Sequence, residues 1–230
     1  MKCVILQPSY IPWRGYFHQI KEADVFVFYD DVAFDTRGWR NRNRVRGPNG
    51  SFWLTVPIIS KALRSKGLKI DQVEIDWSQS WNEKHLKSLE NSYARAPYFE
   101  NYRELIEGMY RRRDPLLVDF LIDFTKVLSR ELGILDTKFE RSSSLSAQGS
   151  KSGRLLEIVR SMGADHYITG PSARDYLDEE LFRQAGVEIE YFVYDYPQYT
   201  QPFDGFDPHV SILDLLFMTG AEAPRHIWQI

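Results

Sequence analysis

Two apolar runs near the start of the chain end in side chains that can bind or activate a ligand. The run from Cys3 to Leu6 ends at Gln7, and the run from Val25 to Tyr29 ends at the acid pair Asp30-Asp31. Ligands of open parallel sheets bind beyond the carboxyl ends of the strands. If the two runs are neighbouring parallel strands, their last residues emerge at one edge of the sheet. We therefore expect Asp30 and Asp31 to line the main cleft beside the Gln7 amide.

The turn after the first run is crowded with aromatic residues, which include Tyr10, Trp13 and Tyr16. Aromatic faces stack on sugar rings or heterocycles, while amides and carboxylates bind hydroxyl and amine groups. These features predict a site for a polyhydroxylated or heterocyclic ligand. The alternative is that the rings belong to the core and that the acids merely end a strand. We favour the site, because adjacent acids at a strand end rarely serve packing.

A basic segment, RGWRNRNRVRG from Arg37 to Gly47, is a second candidate binding region. Four of its arginines alternate and would share one side of an extended segment: Arg40, Arg42, Arg44 and Arg46. Guanidinium forks suit a phosphate or diphosphate through bidentate contacts. A solvated basic loop and a groove for single-stranded nucleic acid are the alternatives, and the formal net charge of -3 disfavours nucleic acid. The candidate binding residues here are Trp39, Asn41, Arg42 and Arg44.

Two later loops add further candidates. Lys151 and Ser152 open a predicted helix, and helix N-termini bind anions through free N–H groups. The spacing of a P-loop is absent, and a serine here has the alternative role of capping the helix. A second polar loop follows the predicted strand at Tyr167-Ile168 and offers Ser172 and Tyr176.

Several classes of site are excluded by composition. The single cysteine, Cys3, rules out a disulfide framework, and the five histidines show no zinc spacing, so we expect neither a metal nor a cofactor. No nucleophile elbow is present. His18 is the one histidine in the aromatic turn; packing is its commoner role, and general base the alternative. No apolar stretch is long enough for a membrane span and no signal peptide is visible, which predicts a cytoplasmic protein.

The elements that must position these residues read as an α/β fold. The chain begins with a strand, a helix and a second strand, which predicts a parallel pair. Amphipathic helices then fill residues 80–132, and strands and helices alternate again afterwards. We predict one α/β domain over residues 1–230, with a mostly parallel sheet, flanking helices and a helical insertion or layer around residues 80–132. The cationic stretch over residues 59–70 is predicted to be a mobile loop.

Several motifs together resemble the WbqC-like proteins. These are QPSYIPWRGYF, DDVAF, WRNRNRVRG, ARAPYF, GADHYITGPSARDYLD and SILDLLF, and they run nearly from end to end. The resemblance implies a role in O-antigen or surface-polysaccharide biosynthesis, with glycyl or other acyl transfer onto an amino sugar. The expected partners are a nucleotide-linked amino sugar and an acyl or aminoacyl donor. Asp30, Asp31 or His18 would then serve as general base, and the arginines would bind the diphosphate.

Two other functions remain open from the sequence. The turn Trp13-Arg14-Gly15-Tyr16 resembles the H-x-G-H turn of nucleotidylyltransferases, although aromatic residues replace both histidines. Nucleotidyl transfer to a sugar phosphate is therefore one alternative. The other is a protein that binds a sugar nucleotide without catalysis, which would need the arginines but no base.

Overall fold

The computed structural model describes residues 1–59 and 67–228. At its centre is a five-stranded parallel sheet. In their order across the sheet, the strands are β5 (Lys138–Arg141), β2 (Val25–Phe28), β1 (Lys2–Leu6), β6 (His166–Thr169) and β7 (Glu188–Tyr191). The predicted α/β class with a parallel sheet is confirmed.

Seven α-helices lie in the described part of the chain. They are α1 (Arg14–Glu22), α2 (Trp81–Tyr93), α3 (Phe99–Arg111), α4 (Leu117–Glu131), α5 (Lys151–Ser161), α6 (Glu179–Gln184) and α7 (Ile212–Thr219). Helices α2 to α4 form the predicted helical stretch within residues 80–132. None of the helices described is long and apolar enough to cross a membrane.

The two central strands are buried on both faces, which explains their unbroken apolar sequences. Alternate residues enter different cores. Val4 and Phe26 join the larger apolar cluster with α1 to α4 and α7, while Cys3 and Val25 join the smaller one with α5 and α6. The sheet is therefore covered by helices on both sides.

The direction of the connections reverses beside β1. The chain runs from β1 to β2 and later to β5 on one side, whereas β6 and β7 lie on the other side of β1. The strand order therefore has a topological switch point between β1 and β6. Open α/β sheets bind ligands in the crevice at such a point.

A two-stranded antiparallel hairpin packs beside the sheet, formed by β3 (Arg42–Val45) and β4 (Phe52–Thr55). The basic segment from Arg37 to Gly47, which the sequence analysis did not assign to a strand, contains β3, and its asparagines are weak strand formers. The predicted loop over residues 59–70 falls mostly on residues 60–66, which lie outside the described residues.

Candidate functional site

A cavity of about 680 Å³ opens at the carboxyl ends of the parallel strands, at the switch point. Register places Leu6 of β1 opposite Phe28 of β2, so Gln7 and Tyr29 follow side by side, and both line the cavity. Thr169 and Gly170 line it from the end of β6. The ends of β1 and β6, and Tyr29 after β2, thus contribute to the wall of this cavity. A volume of this size suits a small-molecule ligand.

The turn between β1 and α1 forms one wall. Trp13, Tyr16 and Gln19 line the cavity from the start of α1. The Tyr16 hydroxyl donates to the Gln7 carbonyl at 3.2 Å, and burial raises the pKa of Tyr16, so its hydroxyl stays protonated and donating. Aromatic faces and amides therefore share this wall.

The same turn is held in a strained conformation. Ile11 has a φ of 36°, which is costly for a β-branched residue. Asn43 of β3 stabilises it, since its Nδ2 donates to the carbonyls of Tyr10 at 3.1 Å and Ile11 at 2.8 Å. Asn43 also lines the cavity, so the hairpin holds the turn between β1 and α1 in place beside the cavity.

Two cationic side chains line the cavity from separate elements. Arg40 precedes β3, and its Nη1 donates to the Pro8 carbonyl at 3.4 Å. Its Nε is buried without a hydrogen-bond partner in the described part of the chain. Burial lowers the pKa of Arg40, but a guanidinium remains charged at neutral pH. Lys151, the first residue of α5, reaches the cavity with a left-handed φ of 49°.

The charged side chains described in the cavity wall carry positive charge. Among the described residues that line the cavity there is no aspartate or glutamate. Nor do residues 1–59 and 67–228 contain a cluster of three histidine, cysteine or carboxylate side chains able to hold a metal ion. The two cations and this lining favour an anionic ligand.

A further part of the wall comes from the C-terminal loop, residues 192–210, which contains neither helix nor strand. Tyr196 and His209 of this loop line the cavity. Their rings are 5.1 Å apart at centroids and nearly perpendicular. Trp13 stacks on Tyr196 at 5.4 Å, which joins the loop to the turn before α1. Long loops of this kind inside a compact fold are usually functional.

Two buried arginines fix the C-terminal loop. The Arg14 guanidinium lies 5.3 to 5.7 Å from four rings of the loop, those of Tyr194, Tyr196, Tyr199 and Phe206. It also donates to the Pro197 carbonyl. Arg46 donates to the carbonyls of residues 203–205 at 2.6 to 3.2 Å. Both arginines stabilise the loop that carries Tyr196 and His209.

Seven of the predicted site residues line the cavity: Gln7, Trp13, Tyr16, Trp39, Lys151, Ser172 and Tyr176. The others lie elsewhere. Tyr10 is fully buried in the core, where its hydroxyl bonds His85 Nδ1 at 2.8 Å. The Asn41 amide donates to the Val56 carbonyl at 2.9 Å and holds the hairpin. The Ser152 hydroxyl accepts from the Asp178 N–H at 2.9 Å and joins α5 to the start of α6.

The acid pair follows β2 as predicted, but neither carboxylate lines the cavity. Asp30 is fully buried, and its carboxylate accepts hydrogen bonds from Arg141 Nε at 2.7 Å and from Ser143 at 2.8 and 2.9 Å. These partners come from β5 and the residues just after it. The prediction that Asp30 lies in the cleft beside Gln7 is therefore corrected: its carboxylate is part of a structural ion pair.

Asp31 is held in the same region. It accepts from the Ser142 hydroxyl at 2.6 Å and pairs with Arg154 of α5. Burial alone would raise the pKa of Asp31, but the hydrogen bonds from Ser142 and Arg154 outweigh it and lower the pKa. A carboxylate so stabilised is a weak base, and the geometry does not support the predicted general-base role.

His18 lies outside the cavity wall. Its ring packs edge-on against Phe192 at 4.9 Å and Tyr194 at 5.7 Å, on the other side of α1 from Tyr16. Burial lowers the pKa of His18. Packing, the commoner role, is the one that its surroundings favour.

The arginines do not form a single array. Arg42 and Arg44 lie on the outer face of the hairpin near Trp53, at 4.5 and 5.9 Å from its ring centroid, and neither lines the cavity. Arg46 bonds the C-terminal loop. Arg40 alone reaches the cavity, because it precedes β3 and the alternation of a strand does not govern its direction.

Sequence reasoning missed Tyr196 and His209. Their segment, YDYPQYTQPFDGFDPHV, is rich in proline and aromatic residues, as is the turn before α1. That composition could have indicated the loop. Prolines disfavour a helix or a strand here, and so many aromatic rings must pack against another part of the protein.

Comparison with known proteins places these residues in a family. The model of the WbqC-like protein family matches residues 7–226. The chain is 37% identical over 228 residues to the uncharacterized protein Rv1507c of Mycobacterium tuberculosis, an alignment that covers 98% of this chain and 97% of the relative. No solved structure matches the chain.

Proposed function

This chain belongs to the WbqC-like protein family, and we propose that it binds a nucleotide-linked amino sugar and transfers an acyl or aminoacyl group to the sugar amine. The observation that carries the proposal is the composition of the cavity wall. Aromatic rings suit a sugar or a base, and Arg40 and Lys151 suit a diphosphate, with no carboxylate among the described lining residues to repel it.

The proposed reaction needs a base at the amine. The amine nitrogen attacks the acyl carbon of the donor, a C–N bond forms, and the bond from that carbon to the carrier breaks with its electron pair leaving on the carrier. A proton must leave the amine as it attacks. His209 is the histidine on the cavity wall, and we assign it this role in place of Asp30, Asp31 and His18.

Donors for the developing oxyanion are also at hand. The Gln7 amide and the Ser172 hydroxyl both line the cavity. Such preoriented donors stabilise negative charge on an acyl oxygen without the reorganisation that water would need.

The binding half is tested by titrating nucleotide-linked amino sugars into the parent and the Arg40→Gln variant. Loss of a charged hydrogen-bond donor should weaken binding by roughly 10- to 100-fold. Arg160→Gln, which removes an exposed arginine of α5 outside the cavity, is the matched control and should bind as the parent does. Equal affinity of Arg40→Gln and parent would remove the diphosphate from this cavity.

The catalytic half is tested by mass spectrometry of the sugar product after incubation with acyl and aminoacyl donors. His209→Asn should lower kcat by about 10²- to 10⁴-fold while leaving binding unchanged. His166→Asn, at the amino end of β6 and away from the cavity, is the control. Undiminished turnover by His209→Asn would exclude that residue as the base.

One observation favours the alternative of nucleotidyl transfer. The turn Trp13-Arg14-Gly15-Tyr16, which resembles the H-x-G-H turn of nucleotidylyltransferases, opens α1, and Trp13 and Tyr16 line the cavity. In that case incubation with a sugar phosphate and a nucleoside triphosphate would release pyrophosphate. N-acylation without pyrophosphate release favours the acyl transferase.

A further inference from the structure

An exposed aromatic surface lies on the outer face of the hairpin, beside the cavity. Arg44 and Trp53 are directly opposite in the β3–β4 register, so their side chains share one face. Trp39 packs against Trp53 with ring centroids 5.0 Å apart. Trp39, Trp53 and Arg42 together form what we call the tryptophan platform. Its two rings are 41% and 44% exposed, which is unusual for tryptophan side chains.

The tryptophan platform adjoins the cavity at Trp39, which belongs to the platform and also lines the cavity. Arg44, next to Trp53 but outside the platform, donates to the carbonyl of His209 at 3.3 Å, and His209 lines the cavity as well. A ligand that leaves the cavity past Trp39 meets the platform next.

The platform is positively charged. The Arg42 guanidinium lies 4.5 Å from the centre of the Trp53 ring and donates to the carbonyls of Gly38 and Arg37. These partners are neutral carbonyls, so they orient the guanidinium without neutralising its charge. Arg44, by contrast, is paired with Asp207 at 3.4 Å. An exposed ring flanked by an oriented cation suits a planar, anionic ligand.

We propose that the tryptophan platform stacks the base of the nucleotide-linked sugar, with the diphosphate at Arg40 and the sugar inside the cavity. This inference rests on the proposed function and adds where the nucleotide lies. Every nucleobase has a π-face, so stacking of this kind tolerates different bases. The occupant is a mononucleotide derivative, because the platform offers two rings beside a cavity of about 680 Å³, whereas a nucleic-acid strand needs an extended groove.

The test compares two ligands, of which the second lacks the nucleoside monophosphate of the first. Dissociation constants are measured for a nucleotide-linked amino sugar and for the corresponding amino-sugar 1-phosphate, with the parent, Trp53→Ala and Trp53→Phe. Trp53→Ala should weaken the nucleotide-linked sugar roughly tenfold or more and leave the sugar phosphate unchanged. Trp53→Phe keeps a ring and should recover most of the lost affinity. Unchanged sugar-phosphate binding also shows that the alanine variant is folded.

Arg42→Ala should likewise weaken only the nucleotide-linked sugar. Arg113→Ala is its matched control, since Arg113 lies 4.6 Å over Trp77 in a similar pair outside the cavity wall. If the parent binds the nucleotide-linked sugar and Trp53→Ala binds it equally well, the platform proposal fails while the proposed function stands. If the parent binds neither ligand, both fail. Tighter binding of a single-stranded oligonucleotide than of the nucleotide-linked sugar would also overturn the platform proposal.

Discussion

Gly15 offers a sharp test of how the cavity wall is built, because two effects of Gly15→Ala have opposite signs. Gly15 lies in the first turn of α1 with Trp13 folded over it. On helix propensity alone, alanine should stabilise the protein by about 0.5–1 kcal/mol. A Cβ at this position would, however, lie only 2.1 Å from two atoms of the Trp13 ring.

The steric effect should win. Carbon atoms pack at about 3.5–4.0 Å, so the Trp13 ring must withdraw by more than about 1 Å. That ring is fixed by Tyr196 at 5.4 Å and Tyr194 at 5.2 Å, and overpacking of such a site costs about 1–3 kcal/mol. We predict that Gly15→Ala lowers the free energy of unfolding by about 1–2 kcal/mol and weakens ligand binding, since the displaced ring belongs to the cavity wall.

The matched control is Gly108→Ala in α3. A Cβ at Gly108 meets nothing within 4 Å, so only the propensity gain of about 0.5–1 kcal/mol should appear. Denaturant unfolding of both variants, with ligand titration of each folded protein, measures the contrast. If Gly15→Ala is as stable as Gly108→Ala and binds as the parent does, the packing of Trp13 over Gly15 is refuted.

Two further predictions concern buried titratable groups. Asp30→Asn should destabilise the protein by roughly 2–3 kcal/mol in denaturant unfolding, because it leaves the partly exposed Arg141 without its buried carboxylate. Unchanged stability together with lost turnover would instead indicate that Asp30 acts in catalysis. Burial lowers the pKa of His85 to about 4 from 6.5, so between these pH values the unfolded chain binds more protons than the folded protein. The free energy of unfolding should therefore fall as the pH drops from 6.5 to 4, by roughly 3 kcal/mol at most. His85→Gln should flatten that part of the stability profile, and a parent profile that is already flat would contradict the burial of a neutral imidazole.

The parts of the fold that sequence predicted are those set by local pattern. Strands β1 and β2 are apolar at every position except Lys2, which is typical of strands buried on both faces. Helix α2 (Trp81–Tyr93) lies within the helical stretch predicted over residues 80–132. Helix α4 of the same stretch begins at Leu117, and the Pro115 carbonyl just before it accepts from the Ile75 N–H.

The site was predictable only in part, because its residues depend on contacts between distant segments. The strand-end rule placed Asp30 at the correct edge of the sheet. Its partner Arg141 is 111 residues away, and nothing in the local sequence indicates that pairing. The alternation of arginines was visible too, but Arg40 precedes β3 and points elsewhere. His209 lies on a loop without regular secondary structure, and the periodicity of apolar residues predicts only helices and strands.

The measurement that tests the central claim most directly is a crystal structure of the protein with a nucleotide-linked amino sugar. Our account predicts that the sugar lies within the cavity at the carboxyl ends of β1 and β6, with its amine facing the His209 imidazole. The diphosphate oxygens should lie within hydrogen-bond distance of Arg40 and Lys151. A ligand bound at another surface, or in the cavity with its phosphates away from both cations, would contradict it.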